Sequence, residues 1–174
     1  MNERPARCNP NRPARIIAMA RSGSEPVKLK FEIEIEAAID DVWAAFGNPE
    51  NLERWVRSFR SFTPLSGEPG QPGSTAEFVF EEKGRVVRTR ATVTERRQPD
   101  FLASTYEASQ GSSLVVHHFE PVDDARTRWT SWWNFTFSGM MKYLSLFTAS
   151  GIRRRIEGDM QRFKLMVESD LSEA

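Results

Sequence analysis

Cysteine is nearly missing from this chain of 174 residues. Cys8 stands alone, so no intrachain disulfide can form, and a reducing, cytoplasmic setting is expected. Histidine is almost as scarce, with only His117 and His118. As neighbours on a strand they point to opposite faces and cannot chelate one metal together. No metal site is expected. An excess of charge is lacking too: 24 lysines and arginines balance 24 aspartates and glutamates. That removes the electrostatic footprint of a nucleic-acid binder. No apolar run approaches the roughly 20 residues that cross a bilayer, so an integral membrane protein is not expected. Near the N-terminus the longest such run, Ile16–Ala20, is too short for a secretory core. The glycines of Gly67–Gly73 are interrupted by Pro69 and Pro72 and lack the spacing of a phosphate-binding loop. Neither histidine stands in a nucleophile motif. No cofactor is expected.

Aromatic rings are plentiful, with twelve phenylalanines and five tryptophans. Phe78, Phe80, Trp129, Trp133, Phe135 and Phe137 recur at two-residue spacing, which sets large rings along one face of a sheet. A mass of 19.9 kDa suits one domain with a sizeable core. Residues 1–26 carry four prolines and five arginines without stable periodicity and are expected to form a disordered extension. A translation start at Met19 is the alternative expectation to one at Met1. A single domain is expected over residues 27–170.

Within it, Leu29–Glu36 alternates apolar and charged residues as a half-buried strand does. Asp40 is the expected N-cap of a short helix carrying Val42, Trp43 and Phe46. Asn48-Pro49 ends that helix, and Pro49 or Glu50 starts a second one bearing Leu52 and Trp55. Strands are predicted over Arg57–Leu65, Thr75–Glu82, Arg85–Arg96, Phe101–Tyr106, Ser113–Pro121 and Thr127–Phe137. Short turns join them at Lys83-Gly84, Pro99-Asp100, Gln110-Gly111 and Asp123-Asp124, and Gly67–Gly73 forms a longer loop. This arrangement is an antiparallel meander. From Leu144 or Ser150 to about Ser169 the period changes. Ile152, Ile156, Met160, Phe163 and Val167 recur every three or four residues, the stripe of a helix that must cover a sheet face.

The order of strand, two short helices, six-strand meander and long C-terminal helix resembles the helix-grip fold. That α+β architecture wraps a curved antiparallel sheet around a long C-terminal helix. START-related domains, birch-pollen-allergen-like proteins and the bacterial polyketide cyclase/dehydratase-like (SRPBCC) proteins share it. The local wording is most similar to the last group, in Phe31–Ile39 with Val42-Trp43, Asn48-Pro49-Glu50, Leu52–Trp55, Gly73-Ser74 and Gly151–Lys164. The resemblance spans residues 28–168. It implies a cavity between sheet and helix that holds lipids, sterols, polyketides, quinones or hormones, with chemistry in a minority of members. It also implies that Gly67–Gly73 and Gly139–Phe147 lie near the cavity mouth.

His117 shares a strand face with Val115 and Phe119 and is expected to point inward, where an ordinary histidine pKa would suit proton transfer. His118 belongs with Leu114, Val116 and Glu120 on the outer face. Tyr106 alternates with Ser104 and offers a hydroxyl to the cavity wall. Glu77 and Arg88 are expected in solvent, as are the arginine groups at Arg85–Arg90 and Arg153–Arg155. Glu95 shares parity with Val87, Thr89, Ala91 and Val93. It turns inward if the strand stays regular and becomes peripheral if the register breaks. The expected function is binding or transport of a hydrophobic small molecule against Phe78, Phe80, Trp133 and Phe135, with Tyr106 or His117 orienting a polar end. The alternative is a polyketide cyclase/dehydratase-like enzyme using His117 and Tyr106 as acid and base. A homodimer is left open, and nucleic acid is not an expected partner.

Overall fold

The structure is a computed structural model that describes residues 26–173 apart from 83 and 140. The expected N-terminal extension, with Cys8 and Met19, lies outside the described residues. So do the side chains of Glu82 and of residues 141–149, and with them most of the expected Gly139–Phe147 mouth.

Alternation of apolar and charged residues makes β1 (Val27–Ile35), with Leu29, Phe31 and Ile35 buried. A tight turn closed by the Ala37 N–H on the Ile35 carbonyl (2.8 Å) leads into α1 (Ile39–Gly47). Its N-cap is Ala38, without a side-chain hydrogen bond, and not Asp40. The chain turns helical before Asp40, so Asp40 and Asp41 fall in the first turn. There their charges favour the positive end of the helix dipole. Asn48 ends the helix and its side chain accepts from the Glu50 N–H (3.0 Å). A 3-10 turn over Pro49–Asn51 then runs into α2 (Leu52–Trp55).

Six further strands follow: β2 (Phe59–Ser66), β3 (Thr75–Glu82), β4 (Arg85–Arg97), β5 (Phe101–Ala108), β6 (Gly111–Asp123) and β7 (Arg126–Phe137). The sheet order is β1-β7-β6-β5-β4-β3-β2, antiparallel throughout. The meander is therefore continuous, and β1 closes onto its last strand. Gly111 opens β6 at φ 148°, where an added Cβ would run into the Thr136 carbonyl oxygen on β7. Only glycine accepts both that backbone and that approach.

Helix α3 (Met141–Ser172) begins earlier than its apolar stripe, because periodicity marks where a helix meets the sheet and not where its backbone starts. Ile156, Met160, Phe163 and Val167 are buried as expected and Ile152 is partly buried. Met166 joins them. Polar contacts fix the helix's far end to β1 and the turn after it: Lys164 Nζ donates to the Glu34 carbonyl (2.7 Å), and the Glu36 N–H donates to Glu168 (2.8 Å). Thr127, fully buried on β7, donates its hydroxyl to the Ala37 carbonyl (2.8 Å).

Candidate functional site

The inward-facing rings do two different things. At one end of the sheet they interlock. Phe46, Trp55, Phe119, Trp129 and Phe163 meet mostly edge to face with centroids 5.1–6.1 Å apart, a geometry that leaves no room between rings. Further along, the rings instead lie parallel down their own strands. Trp133 stacks on Phe135 (5.5 Å, 18°), Phe135 on Phe137 (6.0 Å, 9°) and Phe78 on Phe80 (6.0 Å, 7°). Stacked along a strand, rings form a wall and do not fill the space before it. A cavity of about 650 Å³ remains, bounded by the sheet's inner face, α1, α2 and α3.

Phe78, Phe80, Tyr106, His117, Trp133 and Phe135 all line this cavity, and so do Trp129 and Phe137. The strand register brings them together: Tyr106 on β5 stands opposite Ser113 on β6, itself opposite Phe135 on β7. Pro69 and Gly70 of the Gly67–Gly73 loop also reach the cavity.

His117 sits 8% exposed, its ring close to Phe46 and Trp129. The Trp129 indole N–H donates to its Nδ1 (3.2 Å), and the Ser131 hydroxyl lies 3.1 Å from the same atom. An indole can only donate, so Nδ1 is an acceptor and the neutral ring carries its proton on Nε2. Trp133 in turn donates to the Ser131 oxygen (2.8 Å). Burial pushes the His117 pKa down to about 3, because taking the imidazolium out of water disfavours the charged form. Burial likewise pushes Tyr106 up to about 12. Both groups are therefore neutral hydrogen-bond donors at physiological pH. His118 lies on the outer face, 4.0 Å from Asp100 and 3.7 Å from Glu120.

Glu77 and Arg88 pair with each other at the surface (2.8 Å). The register of β4 does break, between Val93 and Glu95. Glu95 consequently lies away from the cavity, 3.8 Å from Arg97, and Arg96 takes the inward place that parity had offered to Glu95. Parity counting carries no sign of a bulge, so Arg96 was missed.

Of the Arg153–Arg155 group, Arg153 is at the surface with Glu157 (3.4 Å), but Arg155 lines the cavity. Asp159 lines it as well, only 8% exposed, and accepts from the Arg57 N–H (3.2 Å) and from Arg162. Burial raises the Asp159 carboxyl pKa and lowers that of Arg155, whose charge the neighbouring Asp159 supports. Both residues were legible in principle. Asp159 falls three residues after Ile156 and four before Phe163, and Arg155 three after Ile152, so spacing puts them beside the apolar stripe.

Among solved structures, the Zhui aromatase/cyclase of Streptomyces sp. R1128 is similar, with a TM-score of 0.74 at 10% identity over 84% of this chain and 96% of that one. The TTHA0849 protein of Thermus thermophilus gives 0.70 at 14% identity over 83% and 99%. Ara h 8.0201 gives 0.63 at 12% over 83% and 99%. At such identities these likenesses speak for the helix-grip fold alone. No curated protein matches the chain by sequence. The family described as polyketide cyclase/dehydrase and lipid transport matches residues 26–168, a span that takes in every strand, both short helices and nearly all of α3, and the chain belongs to that family.

Proposed function

We propose that the protein binds an apolar small molecule inside the cavity, with Phe78, Phe80, Trp133 and Phe135 as its wall and Tyr106 or His117 as donor to a polar end. The observation that carries this reading is the room left over. A volume of about 650 Å³ exceeds the roughly 300 Å³ at which small-molecule pockets begin, even though the lining residues are among the largest available. Apolar burial supplies the affinity and one directional hydrogen bond supplies the orientation. The two donors suit a carbonyl or hydroxyl oxygen, since each keeps its proton at neutral pH.

Native mass spectrometry of the protein purified from its own host tests the proposal. An adduct of small-molecule mass, released by organic solvent, is expected. Protein that arrives at its bare mass and takes up nothing from an added panel of lipids and aromatic compounds overturns it. The alternative of a cyclase/dehydratase-like enzyme has weaker support in His117, which at a pKa of about 3 is too weak a base to accept a proton at neutral pH. Turnover of an added polyketide-like substrate that is lost with His117→Gln or Tyr106→Phe would promote that alternative.

A further inference from the structure

The cavity wall includes a guanidinium that has no counter-charge among the described residues. Arg96 lines the cavity, and among the described residues no carboxylate lies within ion-pairing distance of it. Two contacts fix its head group. Nη1 donates to the Gly70 carbonyl (3.1 Å), and the Trp43 ring lies under the guanidinium carbon, 5.5 Å from its centroid. Gly70 adopts φ +77°, and a Cβ there would come within 2.9 Å of Arg96 Nη1, so glycine lets the loop close over the cation. The end of the loop is itself tied to β4, by the Gly73 N–H on the Val93 carbonyl (2.8 Å) and the Val93 N–H on the Ser74 carbonyl (3.1 Å).

The bulge between Val93 and Glu95 sorts the charges. It leaves the carboxylate outside beside Arg97 and the guanidinium inside. Across the sheet Arg96 stands opposite Leu102, which stands opposite His117, which stands opposite Ser131. Cation and neutral donors thus share one row of the inner face. The single carboxylate of the described lining, Asp159, is engaged by the Arg57 N–H and Arg162. A guanidinium has five N–H donors in a planar fork that matches the two oxygens of a carboxylate. Here one contact to a carbonyl is made, the Trp43 ring lies against the guanidinium, and the cavity lining as a whole is largely apolar. Such a site favours an anion over its neutral analogue.

We infer that the ligand is an apolar carboxylate, its hydrocarbon or aromatic body against the ring wall and its carboxylate on Arg96. The inference rests on the proposed cavity binding and adds the chemical class.

Isothermal titration calorimetry at neutral pH with 2-naphthoate and 2-naphthamide tests it. The two probes share a ring system and differ in charge at the head. The wild-type protein is expected to bind the carboxylate about tenfold or more tighter than the amide. Arg96→Met should erase that preference while the amide still binds, which also shows that the variant's cavity is intact; Arg96→Lys should retain part of it. Equal binding of both probes by the wild type overturns the carboxylate inference and leaves cavity binding standing. An undiminished preference in Arg96→Met overturns the assignment to Arg96. Should Arg96→Met fail to fold, the wild-type ratio and the Arg96→Lys loss decide in its place. Binding of neither probe by the wild type removes the inference and counts against the cavity reading as well.

Discussion

His117 is held as a neutral ring by its surroundings. Two indoles and a hydroxyl cluster around its Nδ1 side, and protonating the ring would place a charge among Phe46, Trp129 and Trp133. The consequence for stability has a definite sign. An unfolded chain protonates this histidine near pH 6.5, the folded one only near pH 3. Between those values the unfolded state binds the extra proton, so stability is full above about 6.5 and falls as pH falls. Asp159 acts oppositely. Its raised pKa contributes stability at low pH that is lost as pH rises through the folded-state value. Comparing the wild type with His117→Gln isolates the first effect. The drop in Tm from pH 7 to pH 5 should be larger in the wild type, because glutamine can still accept from Trp129 but cannot titrate. Equal drops would mean that His117 takes up its proton in place, and would return it to consideration as an acid or base. The inward direction of His117 was legible from its strand neighbours Val115 and Phe119, whereas its lowered pKa was not. That depends on the rings brought around it from α1 and β7, which alternation along β6 does not report.

At the scale of elements, α3 is the piece whose packing can be tested by one substitution. Phe163 is fully buried and meets Phe46, Trp55 and Trp129 with centroids 5.2–5.8 Å away. Phe163→Ala should cost about 3–5 kcal/mol in equilibrium unfolding, the range for a phenylalanine removed from a core that only partly relaxes. A loss below about 1 kcal/mol would mean that the neighbouring rings close the gap and that the cluster is not rigid. The stripe that placed Phe163 could be read because burial on one helix face repeats with the helical period. Most turns were readable for a related reason: Gly84 and Gly111 take backbone angles that other residues resist. For β4 the alternative of a broken register, which makes Glu95 peripheral, is the one found, between Val93 and Glu95, but the inward turn of Arg96 that comes with it was not read. The end of the Gly67–Gly73 loop is hydrogen-bonded at Val93, next to the bulge, a long-range contact that parity along Thr94–Arg97 does not report. The N-cap of α1 misled because Ala38 caps through its backbone angles alone.

For the molecule as a whole, the sheet's inner face and α3 could be foreseen as partners, but not the space between them. A count of rings is compatible with a filled interior or with a walled cavity. What decides is whether the rings meet edge to face, as Phe46 and Trp129 do, or lie flat along their strands, as Trp133, Phe135 and Phe137 do. Side-chain orientation of that kind follows from sheet curvature and helix position together. The distribution of indoles over this architecture has an optical consequence. Trp43, Trp55, Trp129 and Trp133 all border the cavity, while Trp132, on the outer face beside Lys30, is 40% exposed. Acrylamide should therefore quench one emitter readily and four poorly. Trp132→Phe should remove the red, quenchable component and shift the remaining spectrum to the blue; a variant that quenches as strongly as the wild type would show the cavity tryptophans open to solvent. With the outer indole gone, all the light comes from the walls of the chamber. Filling that chamber would then change the colour or yield of the protein's own emission, so that occupancy could be followed without any label.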